Sequence, residues 1–238
     1  MDSSSFALPK LPELDDDLKL QKHFYSEEAN WIIPGMILAG KSPAKSKNVD
    51  AYVKDLSVNA KVTTYVCLQS EVVPQSEEAE DLGGEQIGHE VDQLPSYAEA
   101  VSNVNPVSKF VYYGMKDDEI APSEDSLRAL VENISQKVKK GETIYVHCKG
   151  GSGRTGIVAA CLLGTFYPDL SADEVLERVQ QYFELRARGV GKWVNPKLKS
   201  PATDEQRDQV REFLGYNADN TSGEDAEAQN CNISCAIM

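Results

Sequence analysis

The chain has 238 residues, 41% of them hydrophobic, enough to bury one good core and to allow one domain or a small second one. A formal charge of −14 excludes a general attraction to nucleic acid or anionic lipid, because both need a basic face, so any recognition of an anion must be local. Five cysteines at irregular positions (67, 148, 161, 231 and 235) suggest neither a disulfide framework nor a zinc cluster, and the expectation is a reducing, cytosolic setting with no metal and no cofactor.

Residues 1–28 are polar, carry Asp15-Asp16-Asp17 and show no sustained period, which predicts an acidic arm that is flexible or lies on the surface. The amino terminus lacks the basic and apolar regions of a secretory signal, and no window has the apolar length of a membrane span, so the chain is expected to start soluble. Asn-x-Ser matches at Asn133, Asn220 and Asn232 would matter only in a secreted protein and are read as chance.

The globular part is expected to start near Trp31. There Trp31-Ile32-Ile33 and Met36-Ile37-Leu38 flank Pro34-Gly35, a strand-turn-strand pattern. Lys61 to Leu68 is β-branched and apolar, a buried strand. From Ser123 to Lys140, Leu127, Leu130, Val131, Ile134 and Val138 recur at helical spacing, with Ser123 as cap, lysines in the last turn and Gly141 as the stop. A short strand, Thr143 to His147, leads into the glycine-rich stretch CKGGSGRTG. An apolar, buried helix follows it through Ile157 to Leu163. Ser171 to Arg188 reads as a helix with Ser171 and Glu174 in capping-box positions, and a last helix covers about Asp204 to Leu214. From Gly215 onward the chain is acidic, has no Lys or Arg, and is expected to be disordered.

Strand, tight glycine loop and helix together aim backbone N–H groups and a helix amino terminus at one point, which makes an anion site without a basic surface. Residues 143–165 have this layout. The dipoles that hold an anion also stabilise a thiolate, so Cys148 at the mouth of the loop is a candidate nucleophile. Arg154 follows five loop residues later. Its planar fork suits two phosphate oxygens and the charge that moves during an in-line transfer.

His147-Cys148-Lys149-Gly150-Gly151-Ser152-Gly153-Arg154-Thr155-Gly156 resembles the signature loop H-C-x5-R-[ST]-G of the protein tyrosine phosphatase superfamily, in its compact dual-specificity branch, at every fixed position. Trp31 to Gly40 and Ser200 to Gln206 resemble the family's entry segment and the opening of its last helix. The resemblance implies one α/β domain over residues 29–214, with a central mixed, mostly parallel sheet flanked by helices. It implies that Lys149, Gly150, Gly151, Ser152, Gly153 and Arg154 hold the substrate phosphate, that Thr155 donates its hydroxyl to the cysteine sulfur, and that His147 supports the loop from behind.

In this family an aspartate on a movable upstream loop protonates the leaving oxygen and later acts in reverse as base. The stretch Phe110 to Ser123 resembles that loop. Setting Gly114-Met115-Lys116-Asp117 on the pattern selects Asp117, and a longer excursion toward Pro122 selects Asp118. Gln206 could orient the second-step water or be an exposed helix residue, and it is kept out of the expected site. Cys161 reads as a core residue. Cys67 reads as core packing or, as in some relatives, a redox partner of the nucleophile. Trp193 and the basic residues Arg186, Arg188, Lys192, Lys197 and Lys199 either flank the pocket or form a solvated loop.

The implied activity is hydrolysis of phosphotyrosine and of phosphoserine or phosphothreonine through a phosphocysteine, with a phosphorylated protein as partner. The alternatives are a phosphoinositide phosphatase and a phosphate-binding pseudophosphatase. Relatives specific for lipid tend to carry more than one basic residue in the loop, where this chain has only Lys149. A pseudophosphatase would lack the nucleophile, arginine or acid, all of which are present. The last four residues, Cys235-Ala236-Ile237-Met238, match a C-a-a-X box and predict farnesyl on Cys235, with Cys231 as a second site for palmitate. Prenyl-processing enzymes would then be partners, and the enzyme would be tethered to the cytosolic face of a membrane.

Overall fold

A computed structural model describes residues 6–72, 79–85 and 96–220. Six strands form one sheet in the order β1-β2-β6-β3-β5-β4: Ala29–Ile33 (β1), Ile37–Lys41 (β2), Thr64–Gln69 (β3), Glu80–Gly84 (β4), Lys109–Met115 (β5) and Ile144–Cys148 (β6). The β1/β2 pair is antiparallel and joined by the expected Pro34-Gly35 turn. All other neighbours are parallel. The helices are Asp17–Leu20 (α1), Val49–Val58 (α2), Ala98–Val104 (α3), Glu124–Lys139 (α4), Gly153–Phe166 (α5), Ala172–Arg188 (α6) and Asp204–Asn220 (α7).

Alternation along the strands sorts the core into two layers. Val66, Leu68, Val146 and Cys148 face one side with the buried residues of α4 to α7, while Tyr65 and Tyr145 face the other with α2 and α3. Strand β6 lies between β2 and β3 and is buried along its whole length, as a central parallel strand covered on both faces must be. Helix α5 leaves its end and runs through the middle of the domain, with twelve of its fourteen residues buried. Its Ile157, Val158, Leu162 and Leu163 each remove a large apolar side chain from water, worth about 1.5–3 kcal/mol apiece.

The capping signals act as read from the sequence. The Ser123 side chain accepts from the Ser126 N–H, and Ser171 and Glu174 complete a capping box on α6.

Two terminal expectations are corrected. The arm is not loose over residues 6–28: Tyr167 Oη donates to the Pro9 carbonyl (2.7 Å), Arg178 Nη1 donates to the Pro12 carbonyl (2.7 Å), and Leu20 and His23 are buried. Leu8, Leu11 and Leu14 pack on the core without a helical or strand period, which is why periodicity missed the contact. At the other end α7 continues past Leu214 to Asn220. Gly215 costs a helix only about 1 kcal/mol relative to alanine, too little to end it. Cys231, Cys235 and the rest of the C-a-a-X box lie outside the described residues. Among the described residues no helix is long and apolar enough to cross a membrane.

His23 also sets a pH dependence. Its Nδ1 lies 3.0 Å from the Trp31 carbonyl and its ring stacks on Tyr182 with centroids 3.7 Å apart. Burial, aided by nearby Arg178, pushes its pKa down to about 4. Burial pushes His147 down to about 3. Both rings are neutral in the folded state, so above pH 6.5 their contribution is complete. As pH falls through the unfolded value toward about 4, the unfolded chain gains protons that the folded one refuses. With both histidines the slope approaches about 3 kcal/mol per pH unit once the unfolded rings are charged. Urea titrations near pH 7.5 and pH 5 should show this decline, and His23→Gln should make it shallower. An equal decline in the variant removes His23 from the account.

Candidate active site

Cys148 is the last residue of β6, and the loop 149–152 turns the chain directly into α5. The thiol is nearly buried, at 3% exposure, and Sγ accepts from the Gly151 N–H at 3.2 Å. Ser152 precedes α5 without using its side chain as a cap, so the first-turn N–H groups remain available for an anion. Gly151 has φ +75°, and a Cβ there would overlap the Gly40 carbonyl of the neighbouring strand. No other residue fits this turn without moving β2.

Arg154 is 1% exposed and held in a fixed fork. Nη1 donates to Glu71 Oε2 (2.5 Å) and to the Met115 carbonyl (2.9 Å), and Nη2 donates to Glu71 Oε1 (2.9 Å) and to Asp117 Oδ1 (2.7 Å). Among the described residues its buried Nε has no partner, which leaves one donor free for a bound anion. Burial works against the charge on Glu71, but Arg154 overrides it and holds that carboxyl below the usual range. Asp117 Oδ2 is also 3.9 Å from Lys149 Nζ.

Of the two aspartates, Asp117 is therefore the one brought to the loop. Asp118 is exposed, has a left-handed backbone (φ +61°) and makes no bond to Arg154. Two glutamines of α7 hold this segment. Gln206 Nε2 donates to the Glu119 carbonyl (2.9 Å), and Gln209 brackets Ala121 by accepting from its N–H (2.9 Å) and donating to its carbonyl (3.2 Å).

A scan of family models matches residues 26–206 to the Swiss Army Knife protein, DSP-PTPase phosphatase domain. The chain belongs to this DSP-PTPase phosphatase family.

Relatives of the DSP-PTPase domain are distant in sequence. The chain is 28% identical over 127 residues to "Putative tyrosine phosphatase 067L" of Invertebrate iridescent virus 3, covering 49% of this chain, and it spans about half the length of that curated relative. Among solved structures, kinase associated phosphatase (KAP) with its catalytic cysteine replaced by serine aligns at TM-score 0.52, with 18% identity over 76% of this chain and 87% of that one. Tk-PTP in the active form aligns at TM-score 0.51, with 19% identity over 79% of this chain and 97% of that one. PTPMT1 in complex with PI(5)P aligns at TM-score 0.50, with 15% identity over 81% of this chain and 98% of that one. All three share the single α/β domain with a central mixed sheet flanked by helices.

Several expectations for the DSP-PTPase site change. Thr155 is buried, but its Oγ1 has no hydrogen-bond partner, so the expected donation to the Cys148 sulfur is absent. The sulfur takes its hydrogen bond from the Gly151 backbone instead. His147 lies behind the loop as expected, buried, 2.5 Å from Tyr97 Oη through Nε2, and stacked on Tyr145. Gln206 is fully buried rather than exposed. Its Oε1 accepts from the Ala202 and Thr203 N–H groups and would lie 3.1 Å from a Cβ on Gly153.

Cys67 is buried beside Val72 and Tyr112, and burial pushes its thiol up to about 12, which matches the packing reading. Cys161 is likewise buried and pushed up. The basic stretch divides. Arg186 is buried against the loop, while Arg188 pairs with Glu184 and Lys192 with Glu27 at the surface. Lys197, Lys199 and Trp193 are exposed. Glu71 and Gln209 were missed by sequence reasoning, and no local pattern around them signals their contacts; Arg186, read as flanking the pocket or lying in a solvated loop, is the member of the basic stretch that reaches the loop.

Proposed function

We propose that this DSP-PTPase domain hydrolyses phosphotyrosine and phosphoserine or phosphothreonine in proteins through a phosphocysteine on Cys148. The Cys148 thiolate attacks phosphorus, an S–P bond forms, and the ester P–O bond breaks as Asp117 passes its proton to the leaving oxygen. Water then attacks the phosphocysteine, Asp117 takes the proton back, and the S–P bond breaks to release inorganic phosphate and the thiolate. Arg154 Nε and the N–H groups of residues 149–153 hold the three phosphoryl oxygens throughout.

The observation that carries the reading is the 2.7 Å bond from Arg154 Nη2 to Asp117 Oδ1 beside the loop that follows Cys148. It brings a candidate acid to the group that would hold the phosphate. An arriving phosphate competes with Asp117 for Nη2, and the displaced carboxyl stays within reach of the leaving oxygen.

The test is phosphate release from a phosphotyrosine peptide, a phosphothreonine peptide and a phosphoinositide. Turnover of the peptides is expected, and turnover confined to the lipid would replace the protein substrate with a lipid. On the peptides Asp117→Asn should lower kcat about 10²–10⁴-fold while Asp118→Asn stays near the parent value. The Asp117→Asn loss should shrink for an aryl phosphate whose phenol leaves without help. If Asp118→Asn is the more damaging, the two roles are exchanged.

The proposal extends to the tail, where farnesyl on Cys235 and palmitate on Cys231 would tether the enzyme to a cytosolic membrane face. A reporter fused to residues 215–238 in a eukaryotic cell should be membrane-bound and should be released by Cys235→Ser. A cytosolic reporter indifferent to that change ends the tether proposal.

A further inference from the structure

Arg186 of α6 is buried, at 8% exposure, and its guanidinium is spent on three neutral oxygens. Nε donates to Asn30 Oδ1 (2.7 Å), Nη1 to the Gly151 carbonyl (2.9 Å) and Nη2 to the Ala39 carbonyl (3.0 Å). Among the described residues no carboxylate lies within ion-pair distance of it. A buried cation with no counter-ion is costly; the Phe183 ring, 4.8 Å from the guanidinium carbon, offsets part of that cost, and the charge lies against the anion loop.

The charge balance around the loop points the same way. Arg154 is paired with Glu71, a carboxylate only 12% exposed, and also bonds the exposed Asp117, so its charge is already balanced. Lys149 is half-exposed, and its charge is screened by water. His147 on β6 is neutral, and Cys67 on β3 holds its proton. Arg186 also interacts with the hydroxyls of Tyr145 and Tyr52, both held in the neutral form by burial. Arg186 is thus the buried positive charge left to favour an anion in the loop. Its link to the sulfur is one residue long, since Gly151 gives its N–H to Cys148 Sγ and its carbonyl to Arg186.

The same contact orients the loop. In a trans peptide the C=O and the following N–H point in opposite directions. Drawing the Gly151 carbonyl out toward α6 therefore turns the Ser152 N–H inward, and the bond from Ser200 Oγ to the Ser152 carbonyl (3.0 Å) does the same for the Gly153 N–H.

We propose that Arg186 is a positioning residue for the phosphatase reaction: it sets the Gly151–Ser152 peptide plane and adds, beside the loop, a buried positive charge that favours an anion at Cys148 over a neutral group. This rests on the reading of Cys148 as nucleophile, so the readout is the thiol itself. The rate of iodoacetamide alkylation is followed against pH on the peptide that carries Cys148, by mass spectrometry of the full chain after quenching.

Arg186→Gln should raise the Cys148 titration midpoint by about one pH unit and move the acid limb of kcat/KM with it, while Arg186→Lys should restore most of the shift. Asn30→Asp changes almost no volume but gives Arg186 a carboxylate at Nε. It should raise the midpoint too, and it carries the test if Arg186→Gln does not fold. A purely structural role predicts lower activity with an unmoved midpoint in both Arg186→Gln and Asn30→Asp, and that result overturns the proposal. If Cys148→Ser leaves turnover intact, it is the nucleophile assignment that has failed.

Discussion

Replacing Cys148 by serine is expected to lower phosphate release by roughly 10⁶-fold, the scale on which enzymes lose turnover with their nucleophile. A serine hydroxyl can replace a thiolate only if a base removes its proton, and the site has none to spare. His147 is turned away to Tyr97 and pushed down to about 3, and Asp117 in the first step must carry the proton destined for the leaving oxygen. The exchange removes no packing, because the loop carbonyls are anchored by Arg186 and Ser200. The variant should therefore fold normally and still bind inorganic phosphate. Phosphate release and the mass of acid-quenched protein check this together, since the parent should carry a phosphoryl adduct and the variant none. Appreciable turnover by Cys148→Ser would falsify the phosphocysteine mechanism.

The second large effect is expected at Arg154, where Arg154→Lys should cost roughly 10³–10⁵-fold in kcat/KM, the range found for arginines that stabilise a transferring phosphoryl group. Lysine keeps the charge but loses the fork that joins Glu71, the Met115 carbonyl and Asp117 and that leaves Nε free. The substitution also breaks a buried pair, because Glu71 is only 12% exposed and would keep its charge without its partner. Folding stability should fall with activity, by about 3 kcal/mol. Steady-state kinetics and urea denaturation of the same preparation separate the two losses. Kinetics within tenfold of the parent would show that a point charge suffices and that the fork has no part in the transition state.

The anion loop was legible in the sequence because all its determinants are local. A β-branched strand, a glycine at a left-handed turn and a helix without a side-chain cap follow one another within 23 residues, and each acts on its chain neighbours. The caps of α4 and α6 were legible for the same reason, since Ser123 and Ser171 bond to N–H groups three residues on.

The choice between Asp117 and Asp118 was not legible. Adjacent carboxylates have identical local chemistry, and their roles separate only when Gln206 and Gln209 of α7 hold the segment from Glu119 to Ala121. Of the two readings of Gln206, the exposed one falls because a helix residue looks solvated until the element it packs against is known.

The sequence by itself determined the family, the Cys148–Arg154 loop and the strand and helix that carry it. Tertiary structure decided how that loop is charged and aimed. Glu71 reaches Arg154 across 83 positions because β3 lies beside β6, and Arg186 reaches the Gly151 carbonyl across 35 because α6 folds back against the loop. Such contacts depend on strand order and helix packing, which no periodicity within either segment encodes. The loop's shape can be read from its own residues, whereas its electrostatics come from side chains that only the fold brings to it.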